Sequence, residues 1–273
     1  MNQTILKIKD LNFSYSYNKQ WTKIVDDINI EIKKGSIIGI AGKSGCGKTT
    51  LAKILVNYFN LSTDIENKDY KLNGSVSYKH NKDWINVNSN IYNSLNPPPI
   101  QMVFQDPRTS LNMKMSLKEQ LEESIKLNKN IKSNEIYSYM DSIANKYKIK
   151  DQLDSNSNPE ELSGGQRRRF GLAKIVCCNP KIIIADEPVS SLDVSIKQEI
   201  MKVLFDLKKD DTTILVISHD ISLLKNNADY IYIMDDKKIV EKWQPNKRPK
   251  SKSTLKLIED SDFLNKHLNN LIK

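Results

Sequence analysis

Residues 42–49, GKSGCGKT, join the β-branched run SIIGIAG to the helical pattern TLAKILVNYF and match the pattern G-x-x-x-x-G-K-[ST]. Glycines at this spacing keep side chains out of the way of backbone N–H groups, so Gly42, Lys43, Ser44, Gly45, Cys46 and Gly47 can wrap a string of phosphates. The positive end of the following helix adds favourable potential for the anion. Lys48 would reach the β- and γ-phosphates, the Thr49 hydroxyl would bind Mg²⁺, and Thr50 completes the nucleotide-contacting set.

The stretch 181–188, KIIIADEP, runs from four apolar residues into two acids. A strand ending there sets Asp186 where a carboxylate holds Mg²⁺ directly or through water. Glu187, one residue on, is the candidate general base for an attacking water. Residues 161–170, ELSGGQRRRF, satisfy S-x-x-[EQ] at Ser163 and Gln166, ahead of a helical run that stops at Asn179-Pro180. Gly164 and Gly165 bare the first N–H groups of that helix, which makes it a second anion-binding end without a second phosphate loop. Arg167, Arg168 and Arg169 follow one another on a helix and so point to different faces, which speaks against a nucleic-acid patch.

The elements that must position these residues are legible as alternating apolar strands and helical patterns. Continuous apolar runs at 36–42, 99–104, 181–188, 212–219 and 230–236 suit a sheet buried on both faces, so the fold class is α/β. ILKIKDLNF (5–13) and KIVDDINIEI (23–32) alternate instead and predict a half-exposed antiparallel sheet. Between about 105 and 170 the pattern turns helical: Ser116 and Glu119 form a capping box, and a second helix spans about 133–147. This reads as an α-helical subdomain inserted in a core spanning 1–243. Two polar segments, 61–99 and the basic tail 244–273 with its KRPKSK, are expected to be mobile at least in part.

At 273 residues with 38% hydrophobic content the chain can build a proper core, so disorder is not the default. The net charge of +9 favours phosphates, nucleic acid or an anionic membrane surface as partners. MNQTILKIKD has no basic stretch leading into an apolar one, and no apolar run approaches the roughly 18–20 residues of a spanning helix, so a soluble or peripheral protein, not an integral one, is expected. Cys46, Cys177 and Cys178 have no metal-ligand spacing, and a reducing cytoplasm suits them. His80 and His267 are read as surface residues with no metal to bind.

Taken in order along the chain, these motifs resemble those of the ATP-binding-cassette (ABC) ATPase family: GKSGCGKT as the Walker A loop, Gln105 in MVFQDP as the Q-loop, LSGGQ as the signature, IIIADEP as the Walker B strand, Asp193 in SSLDVS as the D-loop, and His219 in ISHD as the switch histidine. The resemblance covers roughly residues 3–243. It implies a P-loop NTPase core with an antiparallel β subdomain and the inserted helices, working as a head-to-tail dimer on ATP and Mg²⁺. In that dimer Ser163, Gly164, Gly165 and Gln166 would close over the nucleotide held by the other subunit. His219 would contact the γ-phosphate in cis, and Gln105 would sense Mg²⁺ and the attacking water. Tyr15 lies where the family carries an aromatic that stacks on adenine, with Tyr17 as the alternative.

FQDPRTSLNMKMSL (104–117) and the stretch 161–200 are similar to the ATPase subunits of oligopeptide, dipeptide and nickel importers. That similarity implies two transmembrane permease subunits, a second ABC ATPase subunit, an extracellular solute-binding protein acting indirectly, and a place at the cytoplasmic face of the membrane. Two other classes stand beside it: a soluble ABC ATPase of a cytoplasmic enzyme complex, as in phosphonate breakdown, and a cassette working on nucleic acid or the ribosome, for which basicity is the only support. This chain departs from the importer group in lacking its His-Pro-Tyr-Thr-like C-terminal segment, in carrying Thr49 where serine is commoner, and in the polarity of 64–98.

Overall fold

Alternating apolar residues give β1 (Thr4–Tyr17) and β2 (Gln20–Lys33). They pair antiparallel, with Leu6, Ile8, Leu11 and Phe13 opposite Ile32, Ile30, Ile28 and Val25 on one buried face. β3 (Ile37–Ala41) is buried at all five positions, as its unbroken apolar run requires. The helices α1 (Lys48–Leu55) and α2 (Tyr58–Leu61) follow. This computed structural model describes residues 3–61, 70–104, 110–128, 130–190 and 194–271.

Of the segment 61–99, expected to be mobile at least in part, residues 62–69 lie outside the described residues and 70–99 carry regular structure. The latter contain β4 (Tyr70–His80), β5 (Asp83–Asn86) and α3 (Asn90–Asn93). β4 pairs antiparallel with β1, placing Val76 opposite Ile8 and Tyr78 opposite Leu6. The sheet order is β2-β1-β4-β5. A strand with one buried face needs only Val76 and Tyr78 inside, and its remaining residues are free to be polar, which disguised it in the sequence. His80, read as a surface residue, is half-buried at the end of β4 with its ring 6.3 Å from that of Tyr78.

Residues 95–212 pack as one compact unit, and residues 1–94 with 213–273 as another. Within the 95–212 unit, β6 (Ile100–Val103) leads to α4 (Leu117–Leu127), α5 (Ile136–Lys146), α6 (Lys150–Asp154) and α7 (Gly164–Cys177). β7 (Ile182–Asp186) runs parallel to β6 and is followed by α8 (Val194–Asp206). The expected capping box at Ser116 and Glu119 opens α4, and the second helix starts with a 3₁₀ turn at Ser133–Glu135. Leu117, Leu121 and Ile125 of α4 are fully buried, and α4 packs on α5 and α7. Gln120, also fully buried, spends its amide on the loop before α4: Nε2 donates to the carbonyls of Asn112 (2.8 Å) and Met115 (3.0 Å), and Oε1 accepts from the Asn112 amide (3.0 Å).

The chain then returns to the first unit with β8 (Thr213–Ser218), α9 (Ile221–Lys225), β9 (Tyr230–Asp235) and β10 (Lys238–Trp243). β3 lies between β8 and β9, parallel to both, and β10 closes the edge antiparallel to β9. The basic tail, expected to be mobile at least in part, carries α10 (Lys252–Leu271). Its start is pinned by Glu241 of β10, whose carboxylate accepts from the amides of Lys250 and Ser251 and the Thr254 hydroxyl. Ser253 and Ser261 donate to Asp235 and Asp220. Among the described residues no helix is long and apolar enough to cross a membrane.

Candidate functional site

The phosphate loop is built before any ligand is considered. Gly47, at φ 106°, precedes α1 in a left-handed conformation that a side chain would strain. A Cβ on Gly42 would lie 2.1 Å from the Met234 carbonyl oxygen, so only glycine lets β9 approach. Lys48 is buried, and its ammonium donates to the carbonyls of Gly42 (2.7 Å) and Lys43 (2.8 Å), with the Cys46 sulfur 3.8 Å away. Burial pushes the Cys46 thiol up, against the pull of Lys48. Lys43, Ser44, Gly45 and Thr49 are exposed and Thr50 is half-buried, so the loop offers polar groups outward from a fixed base. A cradle that a Cβ would fill and a buried ammonium at its floor fit a polyphosphate.

Strand register brings His219 to the same place. β3 and β8 pair Ala41 with Ser218, so Gly42 and His219 leave the sheet side by side. His219 is exposed, and Asp220 after it caps α9 by accepting from the Ser222 amide. Tyr15 is half-buried: its ring meets Phe13 edge-on at 4.7 Å and Phe59 at 5.6 Å, and burial raises its hydroxyl to about 12. Tyr17, on the same side of β1, is 79% exposed. Of the two tyrosines, Tyr15 is thus the one whose ring is held, against Phe13 and Phe59.

In the 95–212 unit the signature begins α7 as the spacing predicts. Ser163 Oγ accepts from the Gln166 amide (3.2 Å) while Gln166 Oε1 accepts from the Ser163 amide (2.9 Å). Ser163 and Gly164 are exposed at the tip. Gly165 is buried for a reason the sequence hid: a Cβ there would stand 3.2 Å from Ile196 Cγ2 on α8. The three arginines turn three ways. Arg167 folds back onto the carbonyls of Pro159 and Leu162, Arg168 reaches the loop after β7, and Arg169 faces Glu199 at 3.5 Å. Glu199 is held below the usual carboxylate range by Lys148, with Arg169 assisting.

Asp186 ends β7 and is 1% exposed; Glu187 is half-buried at φ 46°. Each unit offers oxygen donors of the kind that Mg²⁺ takes: the exposed Thr49 hydroxyl in one, and the Asp186 carboxylate in the other. Gln105 and Asp193, expected to sense the nucleotide, lie outside the described residues. Sequence reasoning missed Arg168 as anything but part of a charge run. No sequence signal marks it, because its acceptors are backbone carbonyls about twenty positions away.

A parallel sheet whose strand runs into a glycine loop, a buried lysine and a helix N-terminus defines a P-loop nucleotide hydrolase, and the capped LSGGQ helix narrows it to an ATP-binding cassette. The family profile described as ABC transporter matches residues 25–190, and the chain belongs to that family. It is 32% identical to the oligopeptide transport ATP-binding protein OppF of Bacillus subtilis, over 88% of this chain and 76% of OppF. It is also 32% identical to the dipeptide transport ATP-binding protein DppF of Lactococcus lactis, over 87% of this chain and 73% of DppF. Among solved structures, the dimeric post-hydrolysis cassette MJ0796 bound to ADP and Pi matches with a TM-score of 0.70 at 25% identity, covering 89% of this chain and 100% of that one. The cassette cbiO1 of Clostridium perfringens, part of the transporter complex cbiONQ, matches with a TM-score of 0.68 at 26% identity, covering 90% of each chain.

Proposed function

We propose that this chain is the ATP-hydrolysing subunit of an importer for peptides, nickel or a metal chelate, seated at the cytoplasmic face of the membrane beneath two permease subunits. The observation that carries the reading is the 32% identity to OppF and DppF across almost nine-tenths of the chain. A second cassette, the same chain or a similar one, would complete the dimer, and an extracellular binding protein would deliver the solute.

In this reading residues 42–50 hold the phosphates of ATP, and the Lys48 ammonium exchanges loop carbonyls for β- and γ-phosphate oxygens. Tyr15 carries the adenine. Mg²⁺, held by Thr49 and Asp186 with help from Gln105, neutralises phosphate charge when bound. Glu187 takes the proton of the attacking water, and His219 steadies the γ-phosphate from the same chain. Ser163, Gly164, Gly165 and Gln166 close over the nucleotide of the partner subunit, with Asp193 at the junction. Loss of the γ-phosphate removes the shared ligand and reopens the dimer.

Deleting the gene and following uptake of a radiolabelled tripeptide and of ⁶³Ni²⁺ tests the proposal. Uptake of one of them is expected to fall to background, to return with the wild-type chain, and to stay absent with Lys48→Ala. Unchanged uptake of both would count against an importer of these solutes.

A further inference from the structure

Glu187, at φ 46°, occupies the left-handed backbone region, which a non-glycine residue keeps only where its surroundings over-determine it. The side chain that does so is Arg168. Its Nη1 donates to the carbonyls of Glu187 (3.2 Å) and Pro188 (2.5 Å). Its Nη2 donates to the carbonyl of Ser190 (2.8 Å) and lies 3.4 Å from Ser190 Oγ. The loop closes the same knot from its own side, since the Ser190 amide and hydroxyl both donate to the Glu187 carbonyl, at 3.2 and 3.1 Å. One planar guanidinium thus gathers three carbonyls of the single loop 187–190 around Glu187, a task that needs the fork of an arginine and not the point charge of a lysine.

We propose that Arg168 is a positioning residue for hydrolysis: by clamping the carbonyls of Glu187, Pro188 and Ser190 it sets where the Glu187 carboxylate stands. The inference rests on the reading of Glu187 as the general base. Arg168 is bonded to the loop's carbonyls and the Ser190 hydroxyl and has no place among the nucleotide-binding residues, so its loss moves the carboxylate without removing a group that binds nucleotide. A displacement of about an ångström at a reacting group is enough to cost on the order of a hundredfold in rate.

The test is hydrolysis by the full chain, measured as kcat and KM for ATP, with nucleotide Kd and thermal midpoint recorded for each variant. Arg168→Ala is expected to lower kcat about 10–100-fold with KM and Kd within about threefold of wild type, and Arg168→Lys to recover part of that loss. Added to Glu187→Gln, Arg168→Ala should cost less than about twofold more, because the two act through one carboxylate. If Arg168→Ala does not fold, Arg168→Lys decides: a kcat about 3–10-fold low with unchanged Kd supports the proposal, and a wild-type kcat overturns it. Wild-type kcat in Arg168→Ala beside a dead Glu187→Gln sinks this inference alone. Full turnover in Glu187→Gln sinks the general-base reading beneath it. A rise in Kd that accounts for the whole loss in Arg168→Ala would mark a merely structural role and overturn the proposal.

Discussion

α1 and α7 both start on glycine-bearing loops, yet they satisfy their first turns by opposite means. No described side chain caps α1, whose preceding residue is the left-handed Gly47, and the Lys48 ammonium is the charged group held at its foot. At α7 the capping box of Ser163 and Gln166 takes up two amides within the protein. An uncapped helix start keeps its N–H groups for a ligand, whereas a capped one is rigid without one and offers only the amides that the box leaves, those of Gly164 and Gly165. The first arrangement suits a loop that must enclose all the phosphates of its own nucleotide. The second suits a surface that touches one phosphate of a nucleotide held elsewhere.

Substituting the glycines is the sharpest way to probe that contrast. Gly42→Ala drives a Cβ against the backbone carbonyl of Met234, which cannot move aside, so a loss of about 3 kcal/mol or more is expected in denaturant unfolding, with ATP binding abolished. Gly165→Ala meets only methyl groups of the Ile196 side chain, and about 1 kcal/mol with ATP affinity of the monomer preserved is expected. Equal losses at the two glycines would erase the distinction drawn between the helix starts.

Lys48→Ala removes the counter-charge for the phosphates and should weaken ATP about a hundredfold in titration calorimetry, while leaving the α7 end untouched. Ser163→Ala strips the cap and should cost about 1 kcal/mol of stability, read in urea, with ATP affinity of the monomer preserved.

The smallest effect lies at α10. Burial acts to raise the Glu241 carboxyl, but the bonds from Thr254, Ser251 and Lys250 outweigh it and hold the group below its ordinary value. A depressed folded value means that its stabilisation is complete above the unfolded glutamate value of about 4.3 and fades as pH falls below it. Glu241→Gln should therefore lose stability relative to wild type at neutral pH, and the gap should narrow on acidification below that point, as thermal midpoints across pH would reveal.

Much of the site could be read before the fold, because a phosphate loop, a Walker B strand and a capping box are local patterns with fixed spacing. The parallel strands were equally plain, since burial on both faces leaves no polar position within Ile182–Asp186 until its final acid. β4 was not, because only one of its faces is buried, against a β1 that lies far back in the chain, while its near neighbour β5 is short and mostly exposed. Helix α10 escaped for a related reason: its described buried positions include Thr254 and Ser261 beside Leu257, and its anchor is a carboxylate on another strand. Arg168 shows the limit most clearly, because backbone carbonyl acceptors leave no imprint on side-chain identity.

The central claim, an ATPase that powers import through membrane partners, is met most directly by affinity purification of tagged Glu187→Gln from cells extracted in mild detergent with ATP and Mg²⁺, followed by mass spectrometry. The account predicts two multi-spanning permeases, with this chain or a similar cassette as the second ATPase. Recovery of only soluble enzymes, ribosomes or nucleic acid would contradict it.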